Sequence, residues 1–411
     1  MDLKKIIDKK DASAKYMLKE ITYICKNLGK RDPGSEGEKK ACEYMAKVLK
    51  EECGCERADV EEFKENPGSF YGWIYFTITF VIIAAALAIA TACASLPTWL
   101  PVIGIVLIVA GLALAFLQFG LYKKTVDKCF PEKTGHNVTA IKKCSGETKR
   151  RLIFNGHPDA AWEWPVNYHL RGWAFEAHAI LCAVGAIYYI VISAMLMSGK
   201  DVKTAALCGL VFLPFWLGLY KMWNKKQIVD GANDNLSGCY MGIAVLKALK
   251  DEGITLENTE LGVVLTGSEE AGLRGAKAWC EAHKGEFDDV PTFVFSYDTI
   301  HDPKYLMVNY RDLNATVAAD KDVCDLYYET AQEMGIHCLK GMVPPLGGAT
   351  DSAAFAQAGF RATGITGLNH NLEHYYHTRL DSYDNMDLEG LATCFAVSVK
   401  ALEKFDNGAK Q

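Results

Sequence analysis

Three short apolar runs in this sequence each end on residues of the kind that bind metals. Arg151–Asn155 runs into Gly-His-Pro-Asp, with His157 and Asp159. Leu261–Leu265 leads to Thr-Gly-Ser-Glu-Glu, with Glu269 and Glu270, and Thr292–Tyr297 is followed by Asp298. Between the first two runs lies Gly-Ala-Asn-Asp-Asn-Leu-Ser-Gly, with Asp234, and His-Tyr-Tyr-His-Thr-Arg-Leu-Asp near the end offers His374 and His377. Taken singly, each has an ordinary explanation: Asp ahead of a helix is usually a cap, paired glutamates usually face solvent, and a lone histidine is seldom a ligand. Taken together they offer one imidazole and one carboxylate to each of two cations, with a further carboxylate to bridge them. That is a standard N and O donor set for two borderline-soft divalent ions, and its usual chemistry is the activation of water.

Positioning such residues requires elements that end in one place. The three apolar runs read as buried strands, while Ala12–Leu28, Gly37–Cys53, Ser237–Glu252, Gly272–His283 and Lys321–Glu333 read as helices. Strands alternating with helices predict an α/β fold, a mostly parallel central sheet flanked by helices, and ligands gather at the carboxyl ends of such strands. No internal repeat appears in these parts of the chain.

Two stretches do not belong to that pattern. Ser69 to Tyr122 contains no Asp, Glu, Lys or Arg, too long a run for one helix across the roughly 30 Å of a bilayer's hydrocarbon core. Pro97 and Pro101 break it into passes near Tyr71–Ser95 and Trp99–Leu121. A second, less apolar hairpin is predicted from Ala177–Gly199 and Thr204–Tyr220, with Pro214 kinking its last pass. The organisation expected is four transmembrane helices in two inserted hairpins, 69–122 and 173–223, with 1–68, 123–172 and 224–411 forming one catalytic domain. Lys123, Lys124, Lys128, Arg171, Lys221, Lys225 and Lys226 flank the domain ends, against Lys200 and Lys203 at the far loops, which predicts a multi-pass protein with its catalytic domain in the cytoplasm. The second hairpin enters between His157 and Asp234, and the eleven residues from Trp223 to Asp234 span at most roughly 40 Å, so the site is expected near the lipid.

Composition excludes some classes. A net charge of −6 with acids and bases interspersed argues against a nucleic-acid partner, which would require a basic stripe. The N-terminus has no apolar h-region of a secretory signal, and the mature chain is expected to begin there. The fourteen cysteines are scattered, Cys93, Cys182 and Cys208 lie in apolar runs, Cys53 and Cys55 form only a CxC, and no paired CxxC suggests a structural zinc. Free thiols in a reducing compartment are expected.

The order HxD, GANDNxSG, SEE, an Asp after a strand, and YHTxxD resembles metallopeptidase family 28, the group of zinc aminopeptidases, glutamate carboxypeptidase II and glutaminyl cyclase. Arg31–Leu49 and His136–Lys143 join the resemblance, which spans most of the chain outside the apolar stretches. It implies two zinc ions: His157 and Asp298 as ligands of one, Glu270 and His377 of the other, and Asp234 as the bridge. It further implies that Asp159 orients His157, that Glu269 is the general base, and that Tyr376 stabilises the oxyanion, with the adjacent Tyr375 an alternative. Pro158 in the middle of HxD, Ser352 after Asp351 and Arg379 after Thr378 depart from the family's usual residues, and His370 and His374 are expected at the surface.

The expected function is amide or peptide hydrolysis of the aminopeptidase type. Hydrolysis of N-acyl amino acids or other lipid-linked amides is the second reading, with the hairpins beside the pocket. In a blander version they only anchor the enzyme or mediate a homodimer. Single-zinc cyclisation is a further option, and a non-catalytic receptor or scaffold is the alternative from another class, marked by loss of ligands or base. None is missing here.

Overall fold

The computed structural model describes residues 2–94 and 96–409. The chain divides into two compact units, one formed by residues up to 67, 132–162 and 226 onward, the other by 68–131 and 163–225.

The first unit is built on a nine-stranded mixed sheet. Its main strands are β1 (Arg57–Glu65), β2 (Lys133–Lys142), β3 (Arg150–Gly156), β4 (Thr259–Thr266), β5 (Thr292–Ile300), β6 (Met307–Asp312), β7 (Leu339–Met342) and β8 (Arg361–Gly367). They lie in the order β1-β2-β4-β3-β5-β8-β6-β7, and the two-residue strand Val317–Ala318 pairs with β6. The middle four, β4, β3, β5 and β8, run parallel. β1 and β2 are antiparallel additions on one side, and β6 runs antiparallel to β8 on the other. A mostly parallel sheet therefore describes only the centre, because helical crossovers link the central strands. What separates β1 from β2 is instead the first apolar stretch.

The three expected strands and five expected helices all form, with ends displaced by no more than three residues. On β2, Val138 and Ala140 join the main apolar core, while Thr139 between them turns the other way and accepts a hydrogen bond from Trp279 Nε1 at 2.8 Å. Period-two alternation thus buries both faces. The helix Ser237–Asp251 sits unusually close to β3. A Cβ on Gly156 would lie 2.6 Å from the backbone nitrogen of Cys239, and one on Gly242 would lie 2.5 Å from Phe154 Cβ. Two glycines therefore set the depth of this helix, and the loop before it carries Asp234.

The second unit holds three helices long and apolar enough to cross a membrane: Pro67–Ala94, Pro101–Gly120 and Gly172–Met197. The fourth expected pass is shorter and broken, Lys203–Cys208 and Leu213–Leu219 being joined by a 3-10 turn at Gly209–Phe212 just ahead of Pro214. Proline lacks the N–H and crowds the carbonyl four residues back, which here is that of Leu210. Small residues bring the helices together: Gly104 faces Ala84, Gly111 faces Thr77, and Thr77 Oγ1 donates to the Gly111 carbonyl at 2.8 Å. Tyr188, Tyr189 and Trp216 donate to the carbonyls of Ala205, Ala206 and Cys182. Large apolar side chains remain exposed on all three long helices, among them Val106, Phe116, Trp173 and Ile180.

Replacing Gly156 with Ala pushes the Ser237–Asp251 helix off the sheet, since the obstructing atom is backbone. Its expected cost is about 1–3 kcal/mol, read as a lowered thermal midpoint; a midpoint equal to that of the wild type would show that the close approach is not required.

Candidate metal centre

The register of the parallel strands brings the first candidates level. Asn155 pairs with Ser296 and Gly156 with Leu265, so β3 and β4 end together beside Ser296, two residues before Asp298 on β5. His157 follows β3 directly, and Asp298 lies near the end of β5. After β4, Gly267 and a left-handed Ser268 (φ 56°) turn the chain into a short 3-10 segment carrying Glu269 and Glu270. Asp234 lies in the loop that enters the Ser237–Asp251 helix, and His377, also at positive φ, comes from the loop after β8.

Two groups of metal-type ligand atoms result. His157, Asp234 and Asp298 form one, and Asp234, Glu270 and His377 the other, the atoms in each lying within 4.8 Å of one another. Asp234 belongs to both. Its Oδ1 stands 3.2 Å from His157 Nε2 and its Oδ2 stands 3.1 Å from His377 Nε2, while Glu270 Oε1 is 3.1 Å from that same nitrogen. Ligands of a tetrahedral zinc at 2.0–2.1 Å stand about 3.3 Å apart, so the spacing suits that ion. His157 Nε2, Asp234 Oδ2 and Glu270 Oε1 are all buried and, among the described residues, have no hydrogen-bond partner. Buried polar atoms that converge without satisfying one another fit a cation as their common partner. Glu269 falls in neither group, with Oε2 at 3.8 Å from His157 Nε2.

The supporting contacts are as specific as the ligands. Asp159 Oδ1 lies 3.3 Å from His157 Nδ1, the ring atom turned away from Asp234, and the same carboxylate accepts from the backbone N–H groups of Glu269 at 3.0 Å and Glu270 at 3.1 Å. One buried acid thus steadies two of the ligand-bearing turns. Asp381 does the same for Asp234: its carboxylate accepts from the N–H of Asn233 (2.8 Å) and of Asp234 (3.1 Å), and from Asn233 Nδ2 (2.9 Å). Asn235 donates to the Tyr297 carbonyl at 2.7 Å and accepts from Gly238 and Thr299, tying the loop to β5. Asp381 stands in the YHTxxD motif, but nothing in that spacing reveals which backbone it holds.

Burial raises most of these carboxyls. Glu269 is pushed well up by burial and by the acids around it, and burial takes Asp351 and Asp381 to about 7. Asp234 is the exception: burial opposes its charge, yet the two imidazoles hold it below the usual carboxylate range. His377 is its counterpart, since burial alone would lower it but Glu270 and Asp234 push it up to about 10. The cluster attracts positive charge, whether protons or cations.

Of the two tyrosines, Tyr376 is the one surrounded by this cluster. Burial raises its phenol, followed by Asp234, Glu270, Asp298 and Glu269, and its ring stacks on His377 at 4.1 Å. Tyr375 instead packs edge-on against His301 at 4.7 Å. Ser352 is buried and donates to Asp312 at 2.7 Å, while Asp351 accepts from Thr266 Oγ1 at 2.5 Å. Arg379 is exposed, whereas His370 and His374 are both partly buried rather than on the open surface.

Comparison with known proteins bears on family and fold. Residues 220–402 match the model of peptidase family M28. Among solved structures the chain is similar to BSAP, a zinc aminopeptidase from Bacillus subtilis, at 14% identity and a TM-score of 0.55, covering 95% of each chain. It is similar to the aminopeptidase from Aneurinibacillus sp. strain AM-1 at 14% identity and a TM-score of 0.56, covering 97% of this chain and 95% of that one. Porphyromonas gingivalis glutaminyl cyclase gives 12% identity and a TM-score of 0.52 over 97% and 98%. At these identities the likeness is one of fold. No curated protein matches in sequence.

Behind the Glu269 turn, Ser268 Oγ lies 2.6 Å from Glu65 Oε1 and 3.1 Å from Glu38 Oε2, both carboxyls being buried. Burial raises Glu65 from 4.5 to about 7. An acid raised on folding adds stability below its unfolded pKa, and that stability is lost as pH climbs through the folded value. Between pH 5 and 8 the thermal midpoint of Glu65→Gln is therefore expected to fall less steeply than that of the wild type; parallel slopes would show that Glu65 does not titrate there.

Proposed function

We propose that the chain is a zinc metallopeptidase of peptidase family M28, whose model matches residues 220–402, and that it is a two-zinc, membrane-embedded hydrolase of amide or peptide bonds, of the aminopeptidase type. One observation carries the two-zinc reading: Asp234 offers one oxygen to each of two imidazoles, and those imidazoles belong to separate ligand groups. His157 and Asp298 would hold one ion, Glu270 and His377 the other, and Asp234 both. Zinc, when bound, supplies the Lewis acidity that polarises a carbonyl and brings the pKa of water toward neutrality.

The chain's own residues do the rest. Glu269, beside both groups and part of neither, takes a proton from the attacking water and delivers it to the leaving amine. Its burial supports this role, since a carboxyl raised from its ordinary value can hold a proton near neutral pH. Tyr376 donates its O–H to the oxygen that becomes negative as the carbonyl carbon turns tetrahedral. Asp159 keeps the His157 ring aimed at the site.

The apolar unit supports membrane embedding. Its long helices are rich in exposed Val, Ile, Leu and Phe, which lipid would cover at no cost and water would not. With the shorter fourth segment crossing as well, the chain returns to its starting side, and the lysines around 123–128 and 221–226 favour the cytoplasmic face for the catalytic unit. A second reading of the substrate has its own support. The apolar segment 163–225 is inserted between His157 and Asp234, which favours lipid-linked amides such as N-acyl amino acids over soluble peptides. A non-catalytic receptor or scaffold is disfavoured, because the five candidate ligands and Glu269 are all present.

Glu269→Gln is expected to retain its metal and lose about 10²- to 10⁴-fold in kcat, measured on aminoacyl reporters; undiminished turnover in a zinc-loaded preparation would remove Glu269 as the base. Metal analysis of the wild type is expected to give two zinc ions per chain, and chelation to abolish turnover until zinc is restored. An alkaline carbonate wash is expected to leave the protein in the membrane pellet, and its release would refute the spanning reading. Parallel assays of aminoacyl and long-chain acyl amino-acid substrates decide between the two substrate classes.

A further inference from the structure

Arg31 lies outside both ligand groups and outside the matched segment, yet its side chain is 1% exposed. Its guanidinium spans two loops. Nε donates to the carbonyl of Pro158 at 2.7 Å, and Nη2 donates to the carbonyls of Asp230 at 2.6 Å and Gly231 at 3.1 Å. Pro158 is the residue between His157 and Asp159, and Gly231 stands three residues before Asp234. The backbone adds a fourth tie, Ala160 N–H donating to the Arg31 carbonyl at 3.0 Å. Lys30 reaches the Asp230 carboxylate on the same loop.

Three features separate this from ordinary packing. Among the described residues the guanidinium has carbonyl partners and no carboxylate, so its donors are committed to holding backbone and not to pairing charge. The two loops it joins carry His157 and Asp234, whose facing atoms must stay 3.2 Å apart to share an ion. And the fit is tight, since a Cβ on Gly231, itself at φ 56°, would lie 3.0 Å from Nη2 and 2.6 Å from the Asp234 carbonyl. A planar fork with fixed donor directions can hold two loops at a set separation; a single ammonium cannot.

We propose that Arg31 is a positioning residue of the metal centre, fixing the distance between the loops of His157 and Asp234 and so preorganising the ligand group of His157, Asp234 and Asp298. It rests on the two-zinc reading above and adds to that reading a determinant of metal affinity far away in sequence. Groups that orient ligands from behind typically change metal affinity by about 10- to 100-fold when removed.

The test uses the full chain in detergent and compares the wild type with Arg31→Met, Arg31→Lys and, as a surface control, Arg57→Ala. Zinc is titrated against a chromophoric chelator, and the metal-free thermal midpoint is recorded separately so that affinity is read only where each variant is folded. Arg31→Met is expected to lose about 10- to 100-fold in zinc affinity, with the weaker of the two binding events lost first. Arg31→Lys should recover only part of it, and Arg57→Ala should match the wild type. If Arg31→Met does not fold, Arg31→Lys alone decides. Wild-type affinity in a folded Arg31 variant would overturn the positioning role and leave the metallohydrolase reading standing, whereas a wild type that binds no zinc would overturn that reading and this inference with it.

Discussion

The structure of the catalytic unit depends on one shared carboxylate. Asp234 faces an imidazole through each of its oxygens, at 3.2 and 3.1 Å, in a setting where Glu269, Glu270 and Asp159 are buried with it. Without a compensating cation such a group of acids is costly to keep ionised, and the raised carboxyls around Asp234 register that cost. Much of the surrounding architecture is occupied with keeping Asp234 where both imidazoles can reach it. Asp381 grips the backbone on its N-terminal side, Asn235 fastens the next residue to β5, and Gly156 lets the following helix come close enough to carry the loop in.

The candidate ligands could be picked out in the sequence because the rule that puts donor-type residues at one edge of a sheet is local. A buried strand with His, Asp or Glu at or just past its end puts a donor at the carboxyl edge of a sheet, and β3, β4 and β5 each carry one there. Asp234 and His377 follow no such rule; their residue types singled them out, and resemblance gave them roles. What stayed hidden was pairing between distant segments. β1 and β2 have no local signal of partnership, since the apolar segment lies between them, and the expectation of a mostly parallel sheet failed at those edges. The fourth apolar segment illustrates the opposite limit: it was expected as a fourth pass, but it is shorter than the other three and broken at Gly209–Phe212, where backbone hydrogen bonding decides what composition does not report.

The two units use different means of cohesion. In the sheet unit, Phe154, Phe293, Phe295 and Tyr297 fill a continuous apolar core, and removal of that surface from water is the main driving force. In the apolar unit the helices approach through Gly104, Gly111, Gly185 and Gly209, and Thr77, Tyr188, Tyr189 and Trp216 donate to backbone carbonyls of neighbouring helices. Close backbone contact and inter-helix hydrogen bonds are the interactions that keep their strength where water is absent.

The placement of the apolar segments also dictates an order of events during synthesis. Arg57 of β1 pairs with Ile141 of β2, so the first edge of the sheet cannot zip until the intervening helices have left the ribosome. β3, at the centre of the sheet, then waits for β4 and β5, which are made only after the second apolar segment. Closing loops of that length is slow, and strand edges remain open in the meantime. The segment 220–402 that matches the family model carries four of the five candidate ligands but none of β1, β2 or β3. It is therefore not a unit of folding, and the nascent chain stays incomplete, with the candidate ligands apart, until nearly the last helix has emerged.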